Sequence, residues 1–231
     1  MSPTLPLPGR RLLVELVTKD RERRGADFAD VREWPASVSG FEDLSFLFSS
    51  TILAHGIASL RLDEAAFLYR LVRDERPATS VEIGRFRGGS TFLLAAALTD
   101  GVLHSFDLPT RHGRDGAQLD AQLEAALERY GLSDRVVLHV ADSHTADLPL
   151  AALDLLFVDG DQREEAVRAD FERWSPLVRP GGHLLFHDAV DAPDLVPPCA
   201  KGPASIVSEV GEGFERRPGA GSIAHFRRRA S

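Results

Sequence analysis

Short apolar runs alternate with longer amphipathic segments along the chain from residue 81 onward. The apolar runs are typical of buried strands and lie at 81–83, 102–106, 136–140, 153–158 and 183–186. The segment 91–98 is apolar, and 117–130 and about 163–174 carry apolar residues at helical spacing. Five strand–helix alternations predict a parallel, doubly wound α/β sheet.

The two ends of the chain have a different pattern. Residues 214–217 and 222–226 flank Pro218-Gly219-Ala220-Gly221 and are predicted to form a hairpin, after a short helix at 205–210. The first 75 or so residues read as helical and irregular, with helices at 11–17 and 63–72 and a charged run at 21–24 that favours a solvated helix end. We therefore predict an N-terminal helical cap at 1–76, lying over one sheet edge and the mouth of a ligand site, and a main domain at 77–231.

Composition narrows the function classes. A chain of 231 residues with 43% hydrophobic residues suits one α/β domain with an appendage. The formal net charge of −8 argues against a general nucleic-acid or anionic-membrane binder and favours a small organic substrate. The single cysteine, Cys199, excludes an internal disulfide and a Cys-rich metal site. No apolar run approaches about 20 residues and no signal-like segment opens the chain, so we expect a soluble cytoplasmic protein.

A glycine turn follows the first predicted strand, in Val-Glu-Ile-Gly-Arg-Phe-Arg-Gly-Gly-Ser at 81–90. Glycine at Gly84 and Gly88 allows a tight turn and a close approach to a ligand, and Ser90 is predicted to cap the following helix. A dinucleotide fingerprint, Gly-x-Gly-x-x-Gly, fits poorly because position 86 is Phe86. What remains is acid-x-Gly-x-x-x-Gly, with Glu82 as the acid.

The ends of the later strands carry further candidate residues. In an open parallel sheet, ligands bind outside the carboxyl ends of the strands. Asp107 ends the second strand, where a carboxylate can accept hydrogen bonds from ribose hydroxyls; a turn aspartate ahead of Pro109 is the alternative. Asp142 and Ser143 end the third strand, and an Asx turn is the alternative there.

Two later segments carry a more specific pattern. An apolar strand ends in Asp159-Gly160-Asp161, and a helix is followed by Arg179-Pro180-Gly181-Gly182, an apolar strand and His187-Asp188. With the glycine turn, this order resembles the class I S-adenosylmethionine-dependent methyltransferases related to catechol O-methyltransferase and to the sugar O-methyltransferases of macrolide and aminocoumarin pathways. The resemblance covers roughly 81–190, and it implies a Rossmann-like sheet of seven mostly parallel strands closed by the hairpin.

The resemblance also implies a cofactor, a cation and roles for individual residues. The residues that it assigns to S-adenosylmethionine are Glu82, Gly84, Gly88, Ser90, Asp107, Asp142, Ser143 and Asp159. A divalent cation, magnesium or manganese, is implied at Asp159, His187 and Asp188, where it would bind two substrate oxygens and make a hydroxyl more acidic. Asp161 matches a proposed general base, and His187 is the second catalytic candidate.

The chain departs from the family pattern at two places. Gln162-Arg163-Glu164 stands where related proteins have His and an aromatic residue, and Ala189 stands where an aromatic residue follows His187-Asp188. Either His187-Asp188 or Asp188-Ala189 therefore occupies the ligand pair. Imidazole also suits manganese, iron or zinc better than magnesium.

These observations predict an O-methyltransferase that acts on a hydroxyl of a small molecule, a natural-product sugar or an aromatic compound, with metal assistance. One alternative is a non-catalytic S-adenosylmethionine-binding protein with a degenerate active site; another is a nicotinamide-dependent oxidoreductase, with which Phe86 conflicts. The loops 109–116 and 189–203 are the candidates for substrate choice. The apolar stretch 41–53 suits either the chain's own core or a homodimer contact.

Overall fold

A seven-stranded sheet forms the centre of the protein. The structure, a computed structural model, describes residues 27–31, 34–48, 56–111, 113–189 and 201–230. The strands are β1 (Thr79–Ile83), β2 (Val102–Asp107), β3 (Thr110–Arg111), β4 (Arg114–Asp115), β5 (Val136–Val140), β6 (Leu153–Val158), β7 (Val178–Phe186), β8 (Phe214–Arg217) and β9 (Ala224–Arg228). The large sheet has the order β5-β2-β1-β6-β7-β9-β8, and β3 pairs with β4 in a separate two-stranded ribbon.

The strand directions confirm the predicted doubly wound fold. Strands β5, β2, β1, β6 and β7 are parallel to one another, β9 is antiparallel to β7, and β9 and β8 close the sheet as an antiparallel hairpin. From β1 the sheet continues to β2 and β5 on one side and to β6 and β7 on the other, so the strand order reverses at β1. A ligand crevice is therefore expected at the carboxyl ends of β1 and its neighbours. This is the seven-stranded, mostly parallel arrangement that the sequence pattern implied.

Among the described residues, five α-helices and several 3-10 helices cover the two faces of the sheet. The helices are α1 (Leu62–Glu75), α2 (Gly89–Ala97), α3 (Gly116–Arg129), α4 (Glu164–Trp174) and α5 (Lys201–Val207), with 3-10 helices at Phe28–Asp30, Phe41–Leu47, Ser133–Arg135 and Ser175–Leu177. Alternate residues of a strand enter opposite cores because successive side chains point to opposite faces. In β6, Leu155 and Phe157 join the core shared with α1 and α2, whereas Leu156 and Val158 join the core shared with α4.

Some boundaries differ from the predicted ones. Strand β7 begins at Val178 instead of residue 183, because the chain through Pro180 and the glycines continues extended with an irregular register against β6. Helix α5 begins at Lys201 instead of residue 205, and β9 begins at Ala224 instead of residue 222. The loop 109–116 contains the β3–β4 ribbon.

The described part of the cap packs into the chain's own core. Leu44 and Leu47 are fully buried beside Ile57, Ala58 and α2. Residues 41–47 of the apolar stretch 41–53 therefore pack into this chain's own core. The predicted 63–72 helix is confirmed as α1. The predicted helix at 11–17, the charged run at 21–24, Cys199 and most of the 189–203 loop lie outside the described residues. In the described part of the chain, no helix is long and apolar enough to cross a membrane.

Acid should weaken the fold through a buried histidine pair at the hairpin. His225 accepts at Nε2 from His183 Nδ1 (2.9 Å), and its own Nδ1–H donates to the Pro218 carbonyl (3.2 Å), an arrangement of neutral rings. Burial lowers the pKa of His225 from 6.5 to about 4. His225 therefore binds a proton near pH 6.5 in the unfolded chain but only near pH 4 in the folded chain. Stability is lost as the pH falls from about 6.5 through about 4.

We expect this histidine to remove about 3 kcal/mol of stability between neutral pH and pH 4. Urea denaturation of wild type and His225→Gln at a series of pH values measures it. The variant should lose less stability on acidification, and the difference between the two curves isolates this residue from the carboxylates that also titrate. Parallel curves would contradict the assignment.

Candidate functional site

The glycine loop joins β1 to α2 at the carboxyl end of the sheet. Gly84 has φ +94°, and a Cβ built on it would lie 2.2 Å from the carbonyl oxygen of Asp159 at the end of β6. Gly88 has φ +83° and caps α2, and a Cβ there would lie 2.6 Å from the Leu123 side chain. Glycine is thus required at Gly84 by the approach of the neighbouring strand end, a reason that the sequence pattern did not disclose.

Glu82 and Ser90 lie beneath this loop. Glu82 is completely buried, and its Oε2 accepts from Ser105 Oγ (2.5 Å) and Thr91 Oγ1 (2.6 Å). Burial raises the pKa of Glu82, and these hydroxyls with Ser90 oppose the rise. The predicted capping role of Ser90 is wrong, because Gly88 is the N-cap of α2 and Ser90 lies inside the helix. Both side chains therefore support the loop from the sheet side.

Asp107 meets the loop at the end of β2. Its Oδ2 accepts from the Phe86 backbone N–H at 2.6 Å, and its Oδ1 accepts from the Leu108 N–H at 2.7 Å. Phe86 itself has φ +48°, a left-handed conformation that favours glycine. The Asp107 side chain remains 15% exposed, and Leu108 beside it is 49% exposed. A carboxylate and an apolar side chain thus face outward side by side.

A buried ion-pair cluster, which the sequence did not reveal, lies behind the loop. It consists of Arg85 in the loop, Arg111 in β3 and Asp120 in α3, all less than 7% exposed. Asp120 binds both guanidinium groups through both of its oxygens, at 2.7 to 3.0 Å. Burial alone would raise the pKa of Asp120, but the two arginines outweigh it and lower the pKa. No motif spacing connects these three positions, so only the fold brings them together.

The end of β5 carries two more predicted residues. Asp142 accepts from the His144 backbone N–H (2.9 Å), which forms the Asx turn of the alternative interpretation, and its side chain remains 47% exposed. Ser143 Oγ turns inward and donates to Asp170 of α4 at 2.7 Å. Asp170 is buried, which raises its pKa to about 6. Of the predicted pair, Asp142 is therefore the residue whose side chain is open to a ligand.

The ends of β6 and β7 bring Asp159 and His187 together. His187 Nδ1 lies 2.9 Å from Asp159 Oδ1, and its Nε2 lies 3.2 Å from Glu64 Oε2 of the cap helix α1. Burial by itself would lower the pKa of His187, but the two carboxylates outweigh it and raise the pKa well above 6.5. Both nitrogens of His187 therefore face carboxylate oxygens.

Glu64 is the residue of this group that sequence reasoning missed. It is 1% exposed and also accepts from Arg61 N (2.8 Å), Ser222 N (2.7 Å) and Ser222 Oγ (2.8 Å). Burial would raise its pKa, but the bond to His187, the charge of His187 and the backbone N–H groups hold the pKa at about 2. Nothing in the sequence pairs Glu64, which lies near the start of an amphipathic helix, with His187.

Asp188 and Asp161 lie next to these residues, just beyond the ends of β7 and β6. Asp188 has φ +50°; its Oδ2 accepts from Gln162 Nε2 at 2.5 Å and its Oδ1 from Ser222 Oγ at 3.3 Å. Asp161, more open at 43% side-chain exposure, accepts from Arg163 N (3.0 Å), Nε (2.8 Å) and Nη2 (2.5 Å). The Arg163 guanidinium lowers the pKa of Asp161. Gln162 and Arg163, the departures from the family pattern, thus bind the two aspartates.

A divalent cation does not fit this arrangement. A metal ligand must direct a lone pair at the ion, whereas both nitrogens of His187 are directed at carboxylate oxygens. Asp188 is bound by Gln162 and Ser222. Across the described ranges, no group of three or more His, Cys, Asp or Glu side chains is arranged to hold a metal ion.

Comparison with known proteins supports the fold. Residues 81–189 match the protein family described as a methyltransferase domain. The chain is 30% identical over 170 residues to the 8-demethyl-8-(2,3-dimethoxy-alpha-L-rhamnosyl)-tetracenomycin-C 4'-O-methyltransferase of Streptomyces olivaceus, which covers 61% of this chain and 65% of that protein. It is 31% identical over 125 residues to an uncharacterized protein of Sinorhizobium fredii, which covers 51% of this chain and 14% of that protein.

The chain therefore spans less than two thirds of the length of either curated relative. Among solved structures, an O-methyltransferase from Bacillus cereus in complex with SAH is similar with a TM-score of 0.55 and 20% identity, over 71% of this chain and 80% of that chain. At this identity the likeness shows the shared fold. The matched family region begins at β1 and ends just after β7, and it contains the glycine loop and every strand end described above.

Proposed function

We propose that this chain, whose residues 81–189 match a methyltransferase domain, transfers a methyl group from S-adenosylmethionine to a hydroxyl oxygen of a small molecule. The observation that carries the proposal is the pairing of the glycine loop with Asp107, whose carboxylate is fixed by the Phe86 N–H and still exposed. Bound S-adenosylmethionine supplies a methyl group on a positively charged sulfur. Residues of the chain bind the cofactor, orient the acceptor and take its proton.

The cofactor side of the site follows from the strand ends. Asp107 is positioned to accept hydrogen bonds from ribose hydroxyls, and the exposed Leu108 offers an apolar surface to an adenine ring. Asp142 is open to an exocyclic amino group. Gly84 and Gly88 keep the loop close to the sheet, while Glu82, Ser90 and Ser143 act from behind the residues that face the ligand.

For the methyl acceptor, we propose that Asp161 takes the proton from the hydroxyl group that is methylated. Its lowered pKa makes it a weak base before the reaction, but a hydroxyl becomes strongly acidic as its oxygen bonds to carbon, so a weak base suffices to take the proton. His187 holds Asp159 in place at the end of β6. Catalysis then depends mainly on holding the hydroxyl near the methyl group, and no step is assigned to a cation.

The acceptor class rests on the curated relative. That protein is named as a 4'-O-methyltransferase of a rhamnosyl-tetracenomycin, and rhamnosyl denotes a sugar. The net charge of −8 suits an uncharged acceptor better than a polyanionic one. We therefore extend the proposal to a glycosylated or phenolic natural product.

The test of this function is methyl transfer itself. Purified protein is incubated with S-adenosylmethionine labelled in the methyl group and with a panel of glycosides and phenols, in the presence of a chelator. We expect label to enter at least one hydroxyl compound, with a product one methyl group heavier by mass spectrometry. Cofactor binding without transfer to any compound of a broad panel would favour the non-catalytic alternative.

Replacing the Asp107 carboxylate should weaken cofactor binding strongly. In Asp107→Asn the side chain keeps its shape but loses its charge and one acceptor, so we expect the Kd for S-adenosylhomocysteine to rise about tenfold to a hundredfold, as for a lost charged hydrogen bond of about 1.5 to 3 kcal/mol. Calorimetric titration measures it. Asp100→Asn is the control, because Asp100 is 83% exposed and contacts only Arg76 among the described residues. Equal affinities for the Asp107 variant and wild type would refute the role.

A further inference from the structure

Phe86 occupies a backbone conformation that its side chain disfavours. Its φ of +48° lies in the left-handed region, which glycine adopts more readily. Both polar groups of its backbone are bound. The N–H donates to Asp107 Oδ2 (2.6 Å), and the carbonyl accepts from Arg111 Nη1 (2.9 Å). A strained loop residue is thus held by two side chains, one at the end of β2 and one in β3.

Arg111 is the residue that connects these contacts. Its side chain is 2% exposed. Besides the Phe86 carbonyl, it reaches the Leu108 carbonyl with Nε (3.1 Å) and lies 3.3 Å from Asp107 Oδ2 with the same nitrogen. One guanidinium therefore contacts the glycine loop, the end of β2 and the carboxylate assigned to the ribose.

Asp120 fixes the guanidinium from behind. Both of its oxygens accept from Arg111 at 2.7 Å, and both also accept from Arg85 at 2.9 and 3.0 Å. Arg85 in turn donates to the Ser105 carbonyl of β2 at 2.5 Å. Paired, doubly hydrogen-bonded charges of this kind have one geometry and are costly to rearrange when buried. The loop, β2, the β3–β4 ribbon and α3 are thereby joined.

We propose that Arg111 is a positioning residue for the cofactor, which sets the glycine loop and the Asp107 carboxylate as one unit before the cofactor binds. Asp107 Oδ2 receives Phe86 N–H and faces Arg111, whereas Oδ1 receives the Leu108 N–H and the side chain keeps 15% exposure. The carboxylate can therefore accept a ribose hydroxyl without giving up these contacts. Preorganisation of this kind raises affinity because less freedom is lost on binding. The inference rests on the proposed function.

A double-mutant cycle tests the proposal. S-adenosylhomocysteine is titrated calorimetrically into wild type, Arg111→Met, Asp107→Asn and the double variant, each checked for folding by circular dichroism. We expect Arg111→Met to raise the Kd about tenfold in the wild-type background. In the Asp107→Asn background the same change should raise the Kd less than about threefold, because the carboxylate through which Arg111 acts is already lost.

Arg114→Met is the matched control. Arg114 faces Arg111 in the same ribbon but pairs with Asp27 at 3.3 Å, so its loss should change the Kd by less than about twofold. If Arg111→Met does not fold, Arg111→Lys replaces it. Lysine keeps the charge but cannot make the paired hydrogen bonds of a guanidinium, so this variant should also raise the Kd.

A folded Arg111→Met or Arg111→Lys that binds as tightly as wild type would overturn the proposal. A loss that is equally large in both backgrounds would also overturn it, since Arg111 would then not act through Asp107. Absence of binding by wild type would instead defeat the proposed function, and this inference with it.

Discussion

Replacing Glu64 by leucine should lower the free energy of unfolding by about 3 to 5 kcal/mol, because it breaks a buried charge pair by removing one partner. Glu64 is 1% exposed and joins the cap helix to β7 through His187 Nε2 (3.2 Å). Its removal takes away the acceptor that faces His187 Nε2 and deprives the Ser222 N–H of its acceptor, while the Ser222 hydroxyl keeps Asp188. The unsatisfied Ser222 N–H accounts for about 1 to 3 kcal/mol of this loss.

Urea denaturation at neutral pH measures the Glu64→Leu effect. Asp63→Leu is the matched control, because Asp63 is the preceding residue of the same helix, its side chain is 50% exposed, and it pairs with Arg61 at the surface. We expect that control to change stability by less than about 1 kcal/mol. Comparable losses in the two variants would show that the effect belongs to the helix start and not to the buried bridge.

The second large effect is expected from Gly84→Ala. A Cβ at this position would lie 2.2 Å from the Asp159 carbonyl oxygen and 2.6 Å from the Gly160 Cα, so β1 and β6 must separate at their carboxyl ends. The left-handed φ of +94° adds about 1 to 2 kcal/mol, and the overpacking adds about 1 to 3 kcal/mol. Since both strand ends carry site residues, cofactor binding should be lost together with stability.

Gly131→Ala separates the two contributions to that loss. Gly131 has φ +64°, but no atom lies within 4 Å of a Cβ built on it. Its replacement should cost about 1 to 2 kcal/mol and leave the affinity for S-adenosylhomocysteine unchanged. Thermal unfolding and calorimetry on the two variants make the comparison. Wild-type affinity in a folded Gly84→Ala would contradict the close approach of the two strand ends.

The sequence predicted the sheet well, because hydrophobic periodicity and the glycine turn are local signals. Strands β2, β5, β6 and β8 were placed within one residue of their observed bounds. The strand ends at Asp107, Asp142, Asp159 and Asp188 could also be predicted, since parallel strands deliver their carboxyl ends to one edge. Local signals therefore fix both the fold class and the residues that surround the crevice.

The partners of those residues could not be predicted in the same way. Glu64 contacts His187 from 123 positions away, and Arg85 meets Asp120 across 35 positions, with no motif that links either pair. The metal site was implied by the resemblance to the methyltransferase family, whereas the structure directs both nitrogens of His187 at carboxylates. Residue types at strand ends indicate where chemistry occurs, but the packed neighbours decide which charges they carry.

Calorimetric titration of S-adenosylmethionine and S-adenosylhomocysteine into chelator-treated protein tests the central claim most directly. The account predicts saturable binding of both compounds at one site per chain, an affinity that does not increase on adding magnesium or manganese, and a higher Kd in Asp107→Asn. Absence of binding by either compound in folded protein would contradict it.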